Sequence, residues 1–142
     1  MELLKDSGRY EKKTAEIIPI TTRIMKIATL ATSAGTGNYI EDEIFEEVEI
    51  TEPVPEKASF GVHLDGDSME PRFKNEELVW IEKCDYLDSG EIGLFFLNGK
   101  TYFKKFQKKE TGTFLVSLNK KYEPIPVSEF DNFKIFGRLA VE

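Results

Sequence analysis

Asn98-Gly99 constrains the fold of this chain more than any other pair of residues. A two-residue hairpin turn of type I′ needs positive φ at both positions, which Asn tolerates and Gly adopts freely. Its twist also matches that of paired strands. Before the pair stands the apolar run Ile-Gly-Leu-Phe-Phe-Leu at 92–97, and after it residues 100–106, rich in aromatics. A buried strand over 92–97 and a return strand over 100–106 are expected.

The neighbouring sequence extends this reading. Phe60, Val62 and Leu64 alternate with Gly61 and His63, as in a half-buried strand. Residues 78–81 read as a short buried strand, and 114–118 and 133–141 as the last ones. Upstream, 24–30 is a short apolar strand, and Ile17-Ile18-Pro19-Ile20 is extended because Pro19 disfavours helix before it. The acidic stretch 41–49, broken by Ile44, Phe45 and Val48, suits a solvated edge strand or a short helix. Pro53 and Pro55 end it. After residue 50 there is no long helical stripe, and no internal repeat appears. The fold class expected is mainly β: a curled, mostly antiparallel sheet or partial barrel.

With 142 residues the chain suits one domain that buries a core without disulfides or metal. We divide it into an N-terminal arm or linker, 1–23, and a domain, 24–142. The net charge of −7 opposes binding of phosphate backbones by this stretch. The lone Cys84 fits a reducing compartment. Residues 1–16 are mostly polar or charged and do not read as a signal peptide, and the apolar runs are too short to span a bilayer. A cytoplasmic protein without a membrane association is expected.

Gly66-Asp67-Ser68-Met69-Glu70-Pro71 carries the most chemistry. Gly66 permits a tight turn that presents Ser68 at a strand end, beside backbone N–H groups that can face a ligand. By itself such a hexapeptide is most often only a turn, because Asp and Ser cap local backbone groups well. A nucleophilic serine needs a base. The single histidine, His63, lies five residues earlier on the same strand, so its side chain points to the opposite face. A lysine serves instead if burial keeps its amine neutral. In Thr101-Tyr102-Phe103-Lys104-Lys105-Phe106, Lys104 shares a face with Tyr102 and Phe106, and Lys105 shares the other with Thr101 and Phe103. Periodicity does not choose between the two lysines.

The hexapeptide, the strand at 78–81, Gly90-Glu91-Ile92 and Tyr102-Phe103-Lys104-Lys105-Phe106 together resemble the LexA, phage-repressor and UmuD group of self-cleaving peptidases, family S24. The resemblance covers roughly 24–142. It implies the fold of the LexA C-terminal domain, with Ser68 as nucleophile and Lys104, the first of the two lysines in Phe103-Lys104-Lys105-Phe106, as general base. Lys105 is the minority candidate. The backbone N–H groups of Ser68 and Met69 are the expected oxyanion donors. The chemistry calls for no cofactor and no metal. The family cuts its own chain at an Ala-Gly or Cys-Gly bond in a loop before the serine, and here Ala34-Gly35 matches, within a small, polar loop at 32–38.

The resemblance further implies a homodimer, with cleavage stimulated by a RecA filament on single-stranded DNA that acts as co-protease in the DNA-damage response. DNA would be bound only through a helix-turn-helix domain, for which the thirty or so residues before Ala34 are too few. The preferred expectation is the C-terminal domain of a phage- or mobile-element-type repressor, on the likeness of Ser33-Ala34-Gly35-Thr36-Gly37-Asn38-Tyr39 and the acidic run after it. The alternatives are a UmuD-like accessory protein of an error-prone DNA polymerase and a non-catalytic dimerisation module of the same fold.

Overall fold

Asn98 and Gly99 adopt φ of 48° and 93°, and the strands they join pair antiparallel from Leu97↔Lys100 to Ile92↔Lys105. Around this hairpin the computed structural model describes residues 23–30 and 45–141. Its elements there are β1 (Arg23–Thr29), β2 (Glu46–Ile50), β3 (Phe60–His63), β4 (Leu78–Lys83), β5 (Ile92–Leu97), β6 (Lys100–Lys109), β7 (Gly112–Val116), β8 (Ile125–Val127) and β9 (Phe133–Leu139). They form one sheet in the order β2-β1-β3-β4-β9-β5-β6-β7-β8. The β1–β3 pairing is parallel and the other described pairings are antiparallel. The sheet does not close, and the fold is of the mainly β class expected. Among the described residues no helix is long and apolar enough to cross a membrane.

The strand β4 ends two residues later than expected, at Lys83, and β9 two residues earlier, at Leu139, and three further elements differ. The return strand β6 runs on to Lys109, because Gln107, Lys108 and Lys109 pair with Phe114, Thr113 and Gly112. A polar ribbon of this kind carries no hydrophobic alternation to reveal it. Its partner β7 lies two residues earlier than expected, at both ends. The strand β8 was not expected at all. It has three residues, with Pro126 at its centre, and sits at the end of the sheet, where a missing N–H costs no ladder bond on the open side. Of the two forms considered for the acidic stretch, the edge strand is the one seen at Glu46–Ile50.

The apolar run of β5 is buried on both faces. Leu94 faces a cluster with Val62, Ile81 and Phe103, while Phe95 and Leu97 face a second with Phe106 and Leu115. Strand alternation accounts for the split. In the second cluster Phe95, Phe106 and Phe133 stack with centroids 5.7–6.4 Å apart. Burying one such ring or a leucine contributes about 1.5–3 kcal/mol. β6 is thus clamped on both faces, which fixes the direction of every side chain along it.

Candidate active site

Lys104 stands in the middle of β6, opposite Gly93 of β5. Gly93 brings no cross-strand side chain beside it. Lys104 is only 7% exposed, and its Nζ lies 2.6 Å from Ser68 Oγ. Burial pulls its pKa down from 10.5 to about 8, because a low-dielectric surrounding disfavours the ammonium. The centroids of the Tyr102 and Tyr122 rings lie 5.9 Å from Nζ. When charged, the amine donates to Ser68 Oγ. When neutral, it can accept the serine proton across the same contact.

Ser68 is held against β6 by the segment around it. Gly66 turns the chain after β3 with φ of 101°, and its N–H donates to Asn75 Oδ1 at 2.7 Å. Met69 and Phe73 then plug into the first apolar cluster, and Phe73 meets the Phe103 ring of β6 edge to face at 5.2 Å. Phe103 is the neighbour of Lys104, so the serine segment and the lysine share one anchor. The Glu70 N–H closes a turn on the Asp67 carbonyl at 3.1 Å. Ser68 and Met69 are the two central residues of that turn. Among the described residues, neither of their N–H groups has a hydrogen-bond partner.

A second loop secures the turn from the other side. Asn119 N–H donates to Ser68 O at 2.9 Å, and Asn119 Nδ2 donates to Asp67 O at 3.0 Å. The Asp67 carboxylate takes Lys121 Nζ at 2.8 Å and the Tyr122 hydroxyl. These two partners hold the Asp67 carboxyl below its ordinary pKa, Lys121 contributing most. Sequence reasoning missed Asn119, Lys121 and Tyr122. They lie in a polar stretch without periodicity, and only the turn of the chain after β7 brings them to Ser68.

The structure thus brings Ser68, Met69 and Lys104 to one place, a cleft of about 460 Å³ whose walls include Leu64, Ser117 and Ile125. Leu30, the residue after β1, also lines it. Lys105 is half-buried and is not part of the cleft wall. Neither is His63, whose Nδ1 lies 3.2 Å from the Glu76 carbonyl. Ala34, Gly35 and the rest of the loop at 32–38 lie outside the described residues. Among the described residues no group of His, Cys, Asp and Glu could hold a metal ion. A buried, partly neutral amine against a serine hydroxyl, with two backbone N–H groups beside it that have no partner among the described residues, can carry out acyl transfer.

Comparison with known proteins bears on the family of the chain. Residues 26–140 match the model of the Peptidase S24-like family. A LexA repressor of Carboxydothermus hydrogenoformans is 32% identical over 111 residues, which cover 75% of this chain and 53% of that protein. A LexA repressor of Thermosipho melanesiensis is 28% identical over 135 residues, covering 92% of this chain and 62% of that protein. The chain therefore spans somewhat more than half the length of these relatives. The match over most of the chain shows that it belongs to the Peptidase S24-like family.

Proposed function

We propose that this chain is the self-cleaving C-terminal part of a LexA-like transcriptional repressor, a serine endopeptidase that acts on its own Ala34–Gly35 bond. The observation that carries the reading is the 2.6 Å contact between Ser68 Oγ and the buried Lys104 Nζ. A solvated lysine stays protonated near neutrality, with a pKa of about 10.4. One held near 8 is neutral often enough to act as a base.

In the mechanism, the loop carrying Ala34 folds into the cleft. Leu30 already stands in the cleft wall, and four extended residues reach about 13–14 Å from it. Neutral Lys104 takes the proton of Ser68, and Ser68 Oγ attacks the Ala34 carbonyl carbon. The N–H groups of Ser68 and Met69 receive the developing oxyanion. Lys104 then gives its proton to the Gly35 amine as the Ala34–Gly35 bond breaks. Water, activated by the same amine, releases the acyl group from Ser68. Small residues at the cut suit close approach of the chain to the nucleophile.

In the whole protein this cut would separate a helix-turn-helix domain from a unit that forms the homodimer, and so release DNA. A RecA filament would stimulate it as a co-protease by favouring the docked loop, not by supplying catalytic groups. The relatives named LexA repressor support this setting. The test is incubation of the purified chain between pH 7 and 10.5, with the products weighed by mass spectrometry. Two fragments meeting at Ala34–Gly35 are expected, and their absence at every pH would favour a non-catalytic dimerisation module.

A further inference from the structure

We infer that Asn119 is a positioning residue, which aims the backbone N–H groups of Ser68 and Met69 into the cleft by holding the carbonyls of Asp67 and Ser68 behind them. The inference rests on the proposed self-cleavage and names a further part of its machinery.

The argument begins with peptide geometry. In a trans peptide the C=O and the following N–H point in opposite directions. A donor that fixes Asp67 O therefore fixes the Ser68 N–H, and one that fixes Ser68 O fixes the Met69 N–H. Asn119 supplies both donors, its side-chain amide at 3.0 Å and its own backbone N–H at 2.9 Å. Both carbonyls are drawn to one residue, so both N–H groups are turned away from it. Those are the two groups that have no partner among the described residues.

Nothing else in the turn does this as completely. The Glu70 N–H also binds Asp67 O, but it leaves the central peptide, between Ser68 and Met69, without a hold. Turns of types I and II differ chiefly by rotation of that central peptide. The bond from the Asn119 N–H to Ser68 O selects one orientation. Asn119 is itself braced, since its Oδ1 accepts the Lys121 N–H at 3.2 Å and its carbonyl accepts the Tyr122 N–H at 3.2 Å. Lys121 and Tyr122 in turn hold the Asp67 carboxylate. Asn119 does not line the cleft, so it acts through the turn and not on the substrate.

The experiment compares cleavage-rate profiles of the chain and its Asn119→Ala and Asn119→Asp variants from pH 7 to 10.5. Asn119→Asp keeps an oxygen to receive the Lys121 N–H but replaces the donor to Asp67 O by a charged acceptor. Plateau rates are read well above the Lys104 midpoint, where the amine is neutral in every variant. Both variants should lose about tenfold to a hundredfold there, less than the loss of a whole oxyanion donor. In Asn119→Ala the midpoint should stay where it is in the parent, because Lys104 is untouched. Thermal unfolding should show both variants folded. A plateau within twofold of the parent in either folded variant overturns the inference while leaving the self-cleavage reading intact. So does a lower rate with a displaced midpoint in Asn119→Ala, which would mean that Asn119 acts on Lys104. Cleavage of Ser68→Ala at the parent rate would instead remove the reading, and this inference with it.

Discussion

Ser68 and Phe73 belong to one short segment that is fixed to β6 at two neighbouring points. Ser68 Oγ meets Lys104 Nζ at 2.6 Å, and the Phe73 ring meets that of Phe103 at 5.2 Å. Adjacent strand residues point to opposite faces, and the segment makes a polar contact to one of them and an apolar contact to the next. The apolar contact carries the stability and the polar one the proposed chemistry. This separation allows the serine to be altered without loss of the fold.

Ser68→Ala should accordingly leave the domain folded and abolish cleavage. The side chain is only partly buried, and its removal leaves Met69 and Phe73 in their cluster. Loss of a nucleophile of this kind costs on the order of 10⁵–10⁶-fold in rate. Mass spectrometry after long incubation at pH 10 is the measurement, with unfolding curves as control. Fragments formed at the parent rate would remove Ser68 from the mechanism.

The cut itself should lie between Ala34 and Gly35, giving a C-terminal fragment that begins Gly35-Thr36-Gly37. Replacing Ala34 or Gly35 by a bulky residue such as Trp should block cleavage, since neither a shallow pocket nor a close backbone approach tolerates it. N-terminal sequencing of the fragment decides the point. A fragment starting at Thr36 or beyond Gly37 would show that a different bond is cut.

Much of the sheet was legible because its signals are local. Asn98-Gly99 marks its own turn, and the unbroken apolar run of β5 signals burial on both faces. What escaped depends on pairing: the polar end of β6 and the three residues of β8 are strands only because β7 lies between them. The same division holds at the site. Ser68 stood out by its motif, whereas alternation left Lys104 and Lys105 level, since each shares its face with an aromatic. The burial that separates them goes with the packing of segment 66–73 against Phe103 and Lys104, which no local pattern encodes. Asn119, Lys121 and Tyr122 gave no signal, because their hydrogen bonds to residues 67 and 68 exist only in the fold.

The cleavage rate should follow the titration of one amine. Burial brings Lys104 down to about 8, so the rate should rise with a midpoint near that pH and level off above it, as the neutral form accumulates. A stimulating partner that dries the cleft further should move the midpoint toward neutrality. Lys104→Ala should be inactive across the range, and Lys104→Arg as well, because guanidinium stays protonated. Lys105→Ala should keep most of its activity, being outside the cleft wall. Rates for each variant between pH 7 and 10.5 make the comparison. A flat parent profile would exclude an amine base.

The same amine should leave a mark on stability, independent of any cleavage. Its pKa is about 8 in the folded chain and about 10.4 when unfolded. Between these values the unfolded state binds more protons, so stability rises with pH across this window. Below pH 8 both states hold the charge, and the folded one bears the cost of its burial, on the order of 3 kcal/mol at 1.36 kcal/mol per pKa unit. Lys104→Met removes the charge and keeps much of the side-chain volume. It should therefore be more stable than the parent by about 2–3 kcal/mol at pH 7, an advantage that shrinks as pH rises and is nearly gone by pH 10.5. Other titrating groups are common to both chains and cancel in the difference. Urea unfolding of the two, each carrying Ser68→Ala to prevent cleavage, gives that difference at pH 7 and pH 10. A constant difference at both pH values would mean that Lys104 titrates alike in the folded and unfolded states, and that its burial does not prepare it to act as a base.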